Sequence, residues 1–204
     1  MARYVKLMVF LGFLISCSSS LWAQTGRLGF FINAAGFFPQ QENIKDGFGS
    51  GIGVVLHINP RISVSLEWKY ARFRIDKEKD KLYDGTLTMT PFVVSIQYYL
   101  PANEFFSPYV FAGGGLYFNS FRLNEQVNLQ EANIRQQNIK TGLGFLGGIG
   151  AKVKLKESFS LFLEGLYLRR TSNVETLYLD NPFTTLFRAN LSSFSVLLGL
   201  KYRY

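Results

Sequence analysis

Apolar and polar residues alternate along most of the chain from Leu28 onward. In the clearest stretch, large apolar residues stand at every second position from Ile62 to Tyr70, and the positions between them hold Ser63, Ser65, Glu67 and Lys69. The same alternation runs through the last nine residues, 196–204. In a β-strand, successive side chains lie on opposite faces, so a pattern that repeats every two residues is typical of a strand. The pattern therefore predicts strands with one apolar and one polar face.

Eight such strands are predicted, and long and short connections alternate between them. The strands cover residues 28–38, 47–58, 62–70, 86–100, 108–121, 141–155, 158–170 and 187–204. Long connections are predicted at Pro39–Asp46, Ile75–Gly85, Arg122–Lys140 and Thr171–Leu186, and shorter ones at 59–61, 101–107 and 156–157. Pro91 predicts a bulge or locally broken pairing in the fourth strand, since proline lacks a backbone donor. All long connections should then lie at one end of the sheet, and both termini at the other.

The alternation alone does not decide which face points outward. A soluble lipocalin-like barrel turns its apolar side inward to a ligand, whereas a membrane barrel turns it toward lipid. The apolar faces carry almost no charge through their middles, the polar faces are rich in Gly and Ser, and aromatic residues such as Phe38, Tyr98 and Tyr202 gather near strand ends. These features favour the membrane. We predict an all-β fold, an eight-stranded antiparallel up-and-down transmembrane β-barrel.

The first residues have the pattern of an export signal. Arg3 and Lys6 precede the apolar run 7–15, and Ala23 offers a small residue at an exit site. The run is shorter than the roughly 20 residues that a membrane helix needs. We therefore predict a cleaved signal peptide at residues 1–23 and one barrel domain at residues 24–204.

Cys17 raises an alternative for this processing. The sequence Leu-Ile-Ser-Cys at 14–17 resembles the lipobox of bacterial lipoproteins, in which the cysteine is acylated. Small residues before the cut favour cleavage after Ala23 instead. Cys17 is the only cysteine, so the barrel domain contains no disulfide on either interpretation.

Composition agrees with strands rather than helices in a membrane. Hydrophobic residues make up 48% of the chain, with 20 Phe and 11 Tyr, yet no apolar run after residue 23 is long enough for a membrane helix. The formal net charge of +8 is compatible with nucleic-acid binding. We exclude nucleic acid because export removes the chain from it and because the basic residues are scattered. Attraction to anionic lipid headgroups is a better explanation of the excess of basic over acidic residues.

Two segments and the final strand resemble a known family. Residues 108–117 and 146–164 combine a Gly-rich strand, a short turn and a strand with an inward Glu, and they look like the outer-membrane β-barrel family of OmpA- and OmpX-type, porin-like proteins. The resemblance implies the outer membrane of a diderm, Gram-negative bacterium, with outer-membrane lipids and the barrel assembly machinery as partners. It also implies that the outward positions Tyr204, Tyr202, Leu200 and Leu198 form the assembly signal. We expect a monomer, no domain after the barrel and hence no peptidoglycan-binding role.

Charged residues on the inward faces are the candidate functional groups. Glu67 and Glu164 lie in mid-strand, and the predicted interior set is Glu67, Lys69, Lys152, Lys154, Glu164, Lys201 and Arg203. Isolated buried charges are costly, so we expect pairing. The set predicts a structural plug, because eight strands leave a lumen that side chains fill. The alternative is a gated ion path or a catalytic carboxylate pair.

No catalytic or cofactor motif stands out. His57 is the only histidine, and no Asp or Ser stands beside it in a recognisable catalytic arrangement. We expect no cofactor and no metal, since the sequence shows no ligand cluster. The prediction is a non-enzymatic protein that is structural or binds an unidentified extracellular ligand through its four long connections. The alternatives are a small-solute channel, a lipid-modifying enzyme and a soluble lipocalin-like binder.

Overall fold

The computed structural model describes residues 28–76, 84–103, 105–124, 134–178 and 184–204. Within them no helix is long and apolar enough to cross a membrane. The described residues form eleven strands. They are β1 (Leu28–Pro39), β2 (Gly47–His57), β3 (Ile62–Ile75), β4 (Gly85–Tyr99), β5 (Phe106–Leu123), β6 (Ile134–Ile139), β7 (Gly142–Lys154), β8 (Phe159–Arg169), β9 (Thr171–Tyr178), β10 (Thr184–Asn190) and β11 (Ser193–Arg203).

Eight of these strands close into a barrel in the order β1-β11-β8-β7-β5-β4-β3-β2. Every pair is antiparallel, and the barrel closes where β1 pairs with β11 from Gly29 opposite Arg203 to Pro39 opposite Ser193. The backbone NH of Tyr204 continues this pairing by donating to the carbonyl of Leu28 at 3.0 Å. The predicted eight-stranded antiparallel barrel is confirmed.

The apolar face of each barrel strand points outward. Ile32, Phe145 and Ile149 are 59%, 69% and 68% exposed, and the residues next to them on the other face are inward. The inward face of β5 holds Tyr109, Phe111 and Tyr117, all buried. A continuous apolar outer surface suits lipid rather than water.

The remaining strands form a separate three-stranded sheet, in the order β10-β9-β6. It corrects three predictions: the connections 122–140 and 171–186 contain β6 and β9, and the predicted strand 187–204 is two strands in different sheets. The break falls at Leu191 and Ser192, where the Ser192 NH donates to Asn190 Oδ1 at 3.0 Å. Alternation continues on both sides of this turn, so the pattern alone did not reveal the break.

Strand ends differ slightly from the prediction, and the proline in β4 acts as expected. β1 includes Pro39, β3 runs to Ile75 and β4 begins at Gly85, so two predicted connections are shorter. β3 and β4 pair at Trp68 opposite Phe92 and again at Ala71 opposite Met89, with the same register and an unpaired gap between. Pro91 lies in this gap, so it breaks the pairing locally without a bulge.

Short and long connections lie at opposite ends of the barrel. We call the end that holds the short connections, Leu28 and Tyr204 the turn end, and the opposite end the loop end. At the turn end, Asn59 Oδ1 accepts from the backbone NH groups of Arg61 and Ile62, both at 2.8 Å, which fixes the β2–β3 turn. The three-stranded sheet belongs to the loop end, because both connections that form it start and finish there.

Candidate functional site

The lumen is crowded because glycines face large side chains across the strands. A Cβ on Gly199 would overlap the Phe162 ring and the Ile32 carbonyl, and a Cβ on Gly53 would overlap the Phe31 ring. Phe31 and Phe162 pack edge to face with their centroids 5.9 Å apart. The glycine-rich inner faces therefore make room for aromatic rings that fill the barrel.

A buried ion pair lies in the middle of the lumen. Lys69 Nζ is 2.9 Å from Glu67 Oε2, and both side chains are buried. Asn33 Nδ2 donates to the other carboxylate oxygen of Glu67 at 2.6 Å. Because Glu67 and Lys69 stand two residues apart on one strand, the pair bridges adjacent inward positions of β3.

The second carboxylate has a different partner. Tyr109 OH donates to Glu164 Oε1 at 2.6 Å, and both residues are buried. Lys201 Nζ donates to Tyr99 OH at 3.4 Å and lies 5.5–5.9 Å from three ring centroids, those of Phe31, Tyr109 and Phe162. An ammonium group over aromatic rings is stabilised by their quadrupoles.

These groups enclose very little space. Glu67, Lys69, Glu164 and Lys201 line one cavity of about 10 Å³. A cavity must be about that large to hold a single water molecule. The structure thus brings four of the predicted interior charges together in a nearly closed layer, which we call the mid-barrel layer.

The other three predicted charges lie at the turn-end mouth. Lys152 is half-buried, with its Nζ 4.8 Å from the centroid of the Tyr99 ring. Lys154 shares the strand face of Lys152 and Arg203 that of Lys201, and both side chains are exposed at this mouth. Their strands end here and their side chains reach water. Lys152 and Arg203 line an open cavity of about 650 Å³, the turn-end basin, with His57, Arg61 and Tyr99 among its other walls.

The structure also places a serine beside the only histidine. His57 Nδ1 and Ser63 Oγ are 2.6 Å apart, a contact that the sequence analysis did not predict. The β2–β3 turn pairs position 57 with position 63, so the two side chains lie next to each other on the same face of the sheet. Ser63 is fully buried, and no carboxylate contacts His57 within the described residues. The pair thus lacks an accessible nucleophile and an orienting acid.

An apolar core closes the loop-end half of the lumen. Inward residues of the barrel, among them Phe37, Phe73 and Leu87, form one buried cluster with residues of the three-stranded sheet. The sheet contributes Ile139, Val174, Ala189 and, partly buried, Phe187. Gln137 Nε2 also donates to Thr176 Oγ1 at 2.9 Å between buried groups of β6 and β9. We call this cluster the loop-end core, and it joins the sheet to the barrel.

The predicted assembly signal lies on the outer wall of β11. Tyr204, Tyr202 and Leu198 are exposed, and Leu200 is partly exposed on the same face. Residues 1–23 and Cys17 lie outside the described residues. In the parts of the chain that are described, no three His, Cys, Asp or Glu residues are placed to hold a metal ion.

Known proteins are similar in sequence pattern and in fold. The family model "Outer membrane protein beta-barrel domain" matches residues 9–203. The structure resembles the outer membrane protein OprG from Pseudomonas aeruginosa, with a TM-score of 0.71 and 15% identity over 89% of this chain and 97% of that one. Neisserial surface protein A gives a TM-score of 0.61 and 14% identity over 87% and 97%.

A further similar structure is that of Ail, the attachment invasion locus protein of Yersinia pestis, in complex with the heparin analogue sucrose octasulfate. Its TM-score is 0.54, with 14% identity over 89% of this chain and 100% of that one. At such identities the similarity concerns the fold alone. No curated protein matches the chain by sequence.

Proposed function

The chain belongs to the outer membrane protein β-barrel family and lies in the outer membrane, and from this premise we propose that it is a non-enzymatic, non-conducting barrel that holds a sheet at the cell surface for binding. One observation carries the proposal: the loop-end core is shared by the barrel and the three-stranded sheet. A sheet that is packed into the lumen is fixed relative to the barrel. Binding residues are commonly carried by connections that a rigid scaffold supports.

Two closed layers argue against a solute path. The mid-barrel layer leaves about 10 Å³ between its charged groups. Above it, the loop-end core fills the space with apolar side chains. An ion crossing this apolar region would lose its hydration without receiving polar partners, which is costly. The arrangement thus supports a plugged barrel rather than a pore.

The outer face of the sheet is polar and ordered by its own contacts. Asn138, Asn173 and Arg188 are exposed on it, together with Leu186, which is 67% exposed. Lys140 Nζ lies 2.8 Å from Glu175 Oε2 across the same face. In outer-membrane barrels the long connections face the outside. This face is therefore the proposed binding surface.

Cysteine labelling on intact cells tests where this surface lies. We expect Asn173→Cys, in a Cys17→Ser background, to react with a membrane-impermeant maleimide on intact cells. The matched variant Arg61→Cys, in the turn-end β2–β3 turn, should react only after the outer membrane is permeabilised. The opposite labelling pattern would reject a sheet displayed at the surface.

Passage of small solutes is the second candidate, and the turn-end basin favours it. Its volume of about 650 Å³ gives solutes an entrance from the turn end. To go further, a solute would have to displace Lys201 from its aromatic rings and separate Glu67 from Lys69. A steady conductance would support this candidate, and its absence supports the plug.

We also propose that assembly follows the usual route for this class. The exposed aromatic residues Tyr202 and Tyr204 on the outer wall, next to the β1–β11 closure, suit recognition by the barrel assembly machinery. Cleavage after Ala23 would release the exported chain. Mass spectrometry of the mature N-terminus tests the cleavage, and an acylated Cys17 would contradict it.

A further inference from the structure

Cations surround the turn-end basin, the open cavity of about 650 Å³ at the barrel mouth. Arg61 lies in the β2–β3 turn, Lys152 on β7 and Arg203 at the end of β11. In the barrel order other strands separate these three points, so the positive charges stand around the cavity rather than along one side of it. Among the described residues that line the basin there is no Asp or Glu.

Two of these cations have no carboxylate partner in the described part of the chain. The ion pairs formed there include neither Arg61 nor Lys152. The Lys152 ammonium lies 4.8 Å from the centroid of the Tyr99 ring, which stabilises its charge without supplying a strong hydrogen-bond acceptor. An ammonium carries three N–H donors and a guanidinium five. These groups can therefore donate to a ligand in the basin.

Tyr99 closes the basin on the side of the lumen. Lys152 Nζ lies over its ring, and Lys201 Nζ donates to its hydroxyl at 3.4 Å, so an ammonium group contacts the tyrosine from each side. Lys201 belongs to the mid-barrel layer, which leaves only about 10 Å³. The basin is thus a blind cavity with positively charged walls. A cleft with low-dielectric walls that carry charge of one sign concentrates counter-ions.

The backbone holds the cations of the basin in place. The Arg61 NH donates to Asn59 Oδ1, and the Tyr99 NH donates to the Arg61 carbonyl, both at 2.8 Å. Lys152 lies in a strand that is paired on both sides, opposite Ser107 and opposite Phe162. Because the fold already fixes these positions, little ordering is left for a ligand to impose.

We propose that the turn-end basin binds a phosphate-bearing anion, held by Arg61, Lys152 and Arg203. A guanidinium matches two phosphate oxygens at once, and an ammonium adds a point charge. The basin volume of about 650 Å³ lies within the roughly 300–1,000 Å³ of small-molecule sites. Short turns of outer-membrane barrels face the periplasm. The phosphate therefore comes either from a soluble periplasmic compound or from a lipid headgroup of the inner leaflet.

This site is independent of the proposed binding surface, because the two lie at opposite ends of the barrel. It also needs no passage through the lumen, since the anion enters and leaves through the open mouth of the basin. Failure of one proposal thus leaves the other in place.

Calorimetric titration with sodium pyrophosphate tests the site. The full-length protein is purified in an uncharged detergent and titrated in about 0.15 M NaCl, where the Debye length is about 8 Å and distant charges are screened. The wild type should bind one pyrophosphate. Arg61→Gln and Lys152→Gln should each weaken binding about tenfold, the loss of one hydrogen bond between charged groups.

Lys156→Gln is the matched control. It removes the same charge at the same end of the barrel, but Lys156 is exposed in the β7–β8 turn and does not line the basin. It should bind pyrophosphate like the wild type. Heat-modifiable gel mobility shows whether each variant is folded. Arg61 is exposed in a turn, so Arg61→Gln should fold and decide the question even if Lys152→Gln does not.

Native mass spectrometry of the same proteins with phosphatidylglycerol or phosphatidylcholine distinguishes the two sources. Phosphatidylglycerol that is retained by the wild type and by Lys156→Gln, but lost from Arg61→Gln and Lys152→Gln, indicates a lipid headgroup. Pyrophosphate binding without that pattern indicates a soluble compound. The proposal is overturned if the wild type binds neither probe, if Arg61→Gln and Lys152→Gln bind both as the wild type does, or if Lys156→Gln loses as much binding as they do.

Discussion

The mid-barrel layer and the loop-end core bury positive charge in different ways. In the mid-barrel layer Lys69 has a carboxylate 2.9 Å away and Lys201 lies among aromatic rings. In the loop-end core Arg170 meets a thioether, a carbonyl and one tyrosine ring. The mid-barrel charges therefore stabilise one another, whereas the loop-end charge is held by the fold around it. Removing one charge should therefore destabilise the protein much more in the mid-barrel layer than in the loop-end core.

The largest effect is expected when the mid-barrel pair is broken. Glu67→Gln leaves Lys69 buried without its ion-pair partner and should destabilise the barrel by about 3–5 kcal/mol. Urea unfolding followed by Trp68 fluorescence measures the change. The double variant Glu67→Gln/Lys69→Met should recover a large part of the loss, because both charges are then gone. Exposed ion pairs contribute at most about 1 kcal/mol to stability. If Glu67→Gln lowers the free energy of unfolding by no more than that, the account of a buried, stabilising pair is contradicted.

A smaller loss is expected at the second carboxylate. Tyr109→Phe removes the hydroxyl that donates to Glu164 at 2.6 Å, and hydrogen bonds to charged groups contribute about 1.5–3 kcal/mol. The unfolding midpoint in urea should fall accordingly. Tyr98→Phe, whose ring is exposed on the outer wall, is the control and should leave the midpoint unchanged. Equal unfolding midpoints for Tyr109→Phe and the wild type would show that the hydrogen bond from Tyr109 to Glu164 does not stabilise the barrel.

The smallest effect is expected in the loop-end core. Arg170→Met should lower the free energy of unfolding by less than about 1 kcal/mol, or raise it. The reason is that an uncompensated charge is exchanged for an apolar side chain of similar length. The same urea titration measures it. A loss as large as that of Glu67→Gln would show that Arg170 stabilises the fold, and the two regions would then not differ.

Much of the barrel could be predicted because alternation reports directly on which side of a strand a residue faces. The alternation from Ile62 to Tyr70 predicted that Glu67 and Lys69 lie on the same inner face. Because they are two residues apart, it also predicted that their side chains are close enough to interact. In the three-stranded sheet, β6 and β9 were not predicted, and β10 was predicted only as part of a longer strand, 187–204. β6 is short and lies among Asn and Gln residues, and β10 continues the alternation of β11 across a two-residue turn.

Other parts of the site depend on the closed barrel and could not be predicted from spacing. Tyr109 and Glu164 are 55 residues apart, on strands that are not neighbours, so only closure of the lumen brings them together. Arg170 was predicted as the last residue of a strand, a position that is usually exposed. It is buried because its side chain lies against Met89 of β4 and Tyr117 of β5. The contact of His57 with Ser63, by contrast, follows from the turn at 59–61 and was missed.

Current recording in planar bilayers tests most directly the central claim that the lumen is plugged. The wild type should add no steady conductance above the bare bilayer. Glu67→Gln, if it opens the mid-barrel layer, should remain silent too, because the loop-end core still closes the lumen. A stable, voltage-independent current through the wild-type protein, lowered by charge reversal at Lys152 in the turn-end basin, would contradict the account and identify a pore.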